Sequence, residues 1–123
     1  MPCWQRLRYT VTIMAVLEAI VIQSTFPDGQ TAERVAKNLL ESKLIACINL
    51  IPSVRSLYHW QGKICDETEV LAVIKTTATQ FEAVCKLIRA QHPYDCPEVI
   101  ATPIVYGSSS YLTWMFAELV ETP

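Results

Sequence analysis

A chain of 123 residues, 51% apolar and 18% charged, has the length of one domain and ample material for a core. Ten Lys and Arg against twelve Asp and Glu give a net charge of −2 with no long basic run, which excludes the clustered cationic surface that nucleic-acid binding needs. No uncharged apolar run is long enough to span a membrane as a helix, and there is no repeat or low-complexity segment.

Arg6 and Arg8 precede the run Val11-Thr12-Ile13-Met14-Ala15-Val16-Leu17, which has the look of a weak signal peptide. Glu18 interrupts it, and the apolar run continues into a strand that the core needs. The expectation is an extension over residues 1–13 followed by one domain over 14–123. Met14 to Thr25 reads as a strand buried on both faces, with Val16, Leu17, Ile20, Val21 and Ile22 nearly continuous. Phe26-Pro27-Asp28-Gly29 breaks it, and Asp28 suits the cap of a helix. Ala32, Val35, Ala36, Leu39 and Leu40 then recur at helical spacing, with Glu33, Arg34, Lys37, Asn38 and Glu41 on the solvated face.

Ile45 to Lys75 predicts a long hairpin. A first arm over Ile45–Trp60 and a shorter, nearly apolar second arm over Glu69–Thr76 flank a polar break at Gln61-Gly62-Lys63 and Asp66-Glu67. A straight first arm would reach about 50 Å at ~3.3 Å per residue. A compact domain of this size has a radius of gyration of only ~13 Å. The arm must therefore bend, and Pro52 is the residue that belongs at a bulge or an edge. Val54, Leu57, Tyr58 and Trp60 beyond it need a cover, because an apolar, unpaired strand invites aggregation. A second copy of the chain is the simplest cover.

Thr79 and Glu82 suggest a capping box at the start of a helix bearing Phe81, Val84, Cys85 and Ile88, with Cys85 in the core. Pro93 ends that helix. Glu98 to Val105 reads as a strand that Pro103 confines to an edge or bulge. Gly107-Ser108-Ser109-Ser110 then caps a short helix with Tyr111, Leu112, Trp114 and Met115. The order β-α-β-β-α-β plus a terminal helix predicts an α+β, ferredoxin-like sandwich.

The string Ile51-Pro52-Ser53-Val54-Arg55-Ser56-Leu57-Tyr58-His59-Trp60-Gln61-Gly62-Lys63 resembles the CutA family of divalent-cation-tolerance proteins, whose pattern runs roughly I-P-x-x-x-S-x-Y-x-W-x-G-K. His92-Pro93-Tyr94 with Pro97-Glu98, and Tyr111-Leu112-x-Trp114, fit the same family in the same order, so the resemblance covers about Leu17 to Met115. It implies the ferredoxin-like fold, a homotrimer, and a non-enzymatic role in metal-ion tolerance linked to copper. Trimeric ferredoxin-like proteins with protruding loops also include the PII signalling family, which suggests a sensor by analogy of fold.

Enzyme templates are sparse. The three glycines are isolated, so no phosphate-binding loop exists, and no G-x-S-x-G occurs. Five cysteines, odd in number and without C-x-x-C, favour reduced thiols in a cytoplasmic protein over a disulfide framework. His92, Cys96 and Glu98 are the candidate metal ligands, for copper or another divalent cation, since imidazole and thiolate suit copper and zinc. The alternative is that His92 only hydrogen-bonds the helix end. In relatives linked to copper, Cys precedes Thr at the end of the first strand and two His precede Pro-Tyr. Ser24, Gln91 and His92 stand at those places here, leaving one donor of three. Tyr58, Trp60, Lys63, Lys75 and Tyr94 are candidates for a ligand-binding or inter-subunit cleft, with aromatic interface packing as the alternative. Three further functional readings stay open: a small-ligand sensor, an assembly partner of another protein, and a thiol enzyme using His92 and Cys96.

Overall fold

The computed structural model describes residues 18–120. The extension over 1–13, and the part of the first expected strand before Glu18, lie outside them. Strand β1 (Ala19–Phe26) is followed by helix α1 (Gly29–Glu41), strands β2 (Cys47–Trp60) and β3 (Lys63–Thr77), helix α2 (Phe81–Gln91), the short strand β4 (Ile100–Pro103) and helix α3 (Ser109–Ala117). The four strands form one antiparallel sheet in the order β2-β3-β1-β4, which is the ferredoxin-like arrangement.

Helices α1 and α2 supply the apolar stripes that cover one face of the sheet. Val35 and Leu39 of α1 and Val84 and Ile88 of α2 are fully buried against Ile22, Phe26, Ala72 and Ile74. The Asp28 carboxylate accepts from the Thr31 N–H at 2.7 Å and starts α1, which holds that carboxyl below its usual range. Leu40 was expected on the core stripe but stays exposed, at the edge of the buried arc. The other face carries Val21, Gln23, Leu71, Val73 and Lys75, none of them fully buried. Leu112 and Met115 of α3 close a smaller cluster with Ala19 and Ala46. The Ser108 hydroxyl caps α3 by accepting from Tyr111 N–H.

The hairpin departs from expectation at its tip. β3 is 15 residues long, against 14 for β2, and begins at Lys63. The turn is only Gln61-Gly62, both at positive φ (50° and 76°), the backbone that a tight two-residue hairpin requires. Asp66 and Glu67 lie in the strand because cross-strand partners accommodate them. Arg55 donates to both Asp66 oxygens at 2.9 and 2.6 Å, and the Tyr58 hydroxyl donates to Glu67 at 2.8 Å. The pairing of β1 with β3 ends at Phe26 opposite Val70. Residues 54–60 and 63–69 therefore run on as a two-stranded arm beyond the sheet. At its base the register slips between Ile51 and Val54, and Ser53 takes φ 60°. This is the bend read from Pro52, built as a one-residue bulge.

Three other expectations need correction. No capping box forms at α2: a short 3₁₀ turn, Ala78–Gln80, precedes Phe81, and the Thr79 hydroxyl bonds the Thr77 hydroxyl at 3.1 Å instead. Cys85 is half-buried and outside the core, its thiol pushed up by burial first and then by Glu82. The last strand covers only Ile100–Pro103, because its pairing with β1 stops at Gln23 opposite Ile100, so Glu98 falls in the preceding loop.

Candidate functional site

The arm and the loop after α2 enclose an open groove of about 830 Å³. Arg55 to Tyr58, Trp60, Cys65, Glu67 and Glu69 line it from the arm, and Pro93 to Glu98 from the loop. The register explains why most of these arm residues, Arg55 and Leu57 apart, converge. Val54, Ser56, Tyr58 and Trp60 lie opposite Glu69, Glu67, Cys65 and Lys63, and residues directly opposite share a face.

Two phenol–carboxylate pairs organise the groove. Tyr58 donates to Glu67, and its hydroxyl is pushed up to about 12, first by that hydrogen bond and then by burial. Tyr94 donates to Glu69 at 3.1 Å, which ties the loop to the arm; its hydroxyl is pushed up by burial first and by Glu69 next. Glu69 is only 5% exposed, a carboxylate sunk into the groove wall. Arg55 is the one Lys or Arg in the lining, and both its donated bonds go to Asp66, whose carboxyl they hold below its usual range.

His92 does not line the groove; it sits beneath the loop, 8% exposed. It caps the C-terminus of α2 in an extended conformation, as the following Pro93 demands. Its ring stacks on Phe26 (centroids 5.0 Å) and tilts against Tyr94 (4.7 Å). Nε2 donates to the Thr25 carbonyl at 2.7 Å, and Nδ1 accepts from the Tyr94 N–H at 3.1 Å. Thr25 lies past the end of the β4 pairing, so the imidazole takes a backbone acceptor that no strand reaches. Both ring nitrogens are committed.

The candidate ligands His92, Cys96 and Glu98 are thus not gathered: Cys96 and Glu98 line the groove, exposed, while His92 lies under it. Among the described residues no group of three or more His, Cys, Asp or Glu side chains is placed to hold a metal ion. The donors within one chain therefore do not fit a resident copper or zinc site, which asks for three or four converging ligands. Ser24 is fully buried opposite Ala72, on the helix-covered face. Of the cleft candidates, Tyr58, Trp60 and Tyr94 come together. Lys63 lies opposite Trp60 at the arm tip, outside the lining, and Lys75 sits far down the sheet, bonded to Asn49 and 3.9 Å from the Cys47 sulfur. Sequence reasoning missed Glu67 and Glu69. Their i, i+2 spacing with Cys65 was the available signal, hidden by reading Asp66-Glu67 as a turn.

A sequence model of the CutA1 divalent ion tolerance protein family matches residues 20–118. A divalent-cation tolerance protein CutA from Pectobacterium atrosepticum is 44% identical over 102 residues, spanning 83% of this chain and 93% of that one. The crystal structure of CutA1 from Oryza sativa superposes with a TM-score of 0.83 at 37% identity, covering 86% of this chain and 97% of the other. A protein from Archaeoglobus fulgidus, described as a periplasmic divalent cation tolerance protein, gives 0.79 at 38% identity, covering 81% and 97%. The matched span and the superposition agree, and the chain belongs to the CutA1 divalent ion tolerance protein family.

Proposed function

We propose that the chain works as a non-enzymatic cytoplasmic homotrimer in the response to divalent metal ions. The arm is the observation that carries the assembly. Leu57, Trp60 and Ile64 of the arm are 60%, 47% and 74% exposed, Ile51 just below it 45%, and β2 ends the sheet with an unpaired edge of 14 residues. An apolar open edge of that length is a template for another chain. β4 leaves a second, different open edge, and contacts between unlike patches close as rings. The family resemblance supplies the number three.

The metal part of the reading rests on the family and on relatives described as divalent-cation tolerance proteins. Since one chain does not gather three donors, a bound copper or zinc ion would need donors from more than one copy. A thiol enzyme is disfavoured because His92, with both nitrogens committed, leaves Cys96 no base on that ring.

Light scattering at micromolar concentration tests the assembly: a trimer is expected, and a stable monomer would end this reading. Trp60→Asp, which puts a charge into the covered face, should weaken the trimer while leaving helix content intact. Calorimetric titration with Cu(II) and Zn(II) should then show binding by the trimer and not by the dissociated variant. No binding by either would make the metal role indirect.

A further inference from the structure

We draw no further inference here: the strongest candidate, the cluster of Cys47, Asn49 and Lys75 on the open face of the sheet, with the Lys75 ammonium 3.9 Å from the Cys47 sulfur, lies on the face that a second copy covers in the proposed trimer, and nothing in the structure shows what covers that thiol.

Discussion

Replacing His92 by Ala removes the tie between α2, the end of β1 and the groove loop. Two hydrogen bonds go, to the Thr25 carbonyl and from the Tyr94 N–H, each worth about 1 kcal/mol net. The stack on Phe26 adds roughly 0.5–1.5 kcal/mol, and a ring that is 8% exposed leaves a cavity. The sum is about 3–4 kcal/mol, a large part of the 5–15 kcal/mol typical of a folded domain. Urea unfolding followed by circular dichroism, at fixed protein concentration because subunits couple to stability, reads this directly. His92→Phe keeps the stack and loses only the hydrogen bonds, so it should cost about half as much. The exposed His59→Ala should stay within about 0.5 kcal/mol. A loss below about 1 kcal/mol for His92→Ala would show that the clamp is incidental to the fold.

Ser24 gives a prediction of opposite sign. Its hydroxyl is fully buried without a hydrogen-bond partner, so Ser24→Ala should raise stability by about 1 kcal/mol, seen as a higher urea midpoint. Gly62 at φ 76° has open space around a would-be Cβ, so Gly62→Ala costs only backbone strain, about 1 kcal/mol, and should leave assembly unchanged in light scattering. The Tyr58 and Tyr94 hydroxyls hold their protons more tightly in the folded chain than the ordinary phenol value of 10.0. Their stabilisation is therefore complete below about pH 10 and is lost as pH rises through the folded values. Urea midpoints taken from about pH 9 to pH 12 should fall, and fall less steeply in the Tyr58→Phe, Tyr94→Phe double variant; parallel curves would contradict the phenol–carboxylate pairing.

What the sequence revealed, and what it hid, follows from the range of the forces involved. Helix α1 was legible because Ala32, Val35, Ala36 and Leu39 report one face within four turns, and all four are buried. Pro52 announced its bulge because a missing N–H is a local fact. The arm tip was misread because Asp66 and Glu67 are stabilised by Arg55 and Tyr58 from the other strand, beyond any local window. Thr79 and Glu82 matched a capping pattern, but a 3₁₀ turn took the helix start. Tyr58, Trp60, Tyr94, Cys96 and Glu98 were read as site residues and do line one groove. The burial of His92 was invisible, since it depends on Phe26 and Thr25 at the far end of another element.

The bulge at Pro52-Ser53 decides which residues that groove contains. Along β3, Glu67, Glu69, Leu71, Val73 and Lys75 occupy one face without interruption, and Val70, Ala72 and Ile74 the other. On β2 the first face takes Cys47, Asn49 and Ile51 below the slip, but Val54, Ser56, Tyr58 and Trp60 above it. The extra residue changes odd positions for even ones. Without it, Arg55, Leu57 and His59 would stand opposite Glu67, Cys65 and Lys63, and Tyr58 and Trp60 would turn to the helix side of the arm. The aromatic rings and the carboxylates would then lie on opposite faces. One irregular residue therefore places the aromatic side chains of β2 on the same face as the carboxylates of β3. The same slip also carries the open face of the sheet into the lined face of the groove as one continuous surface, so covering the sheet and completing the groove fall on the same side of the molecule.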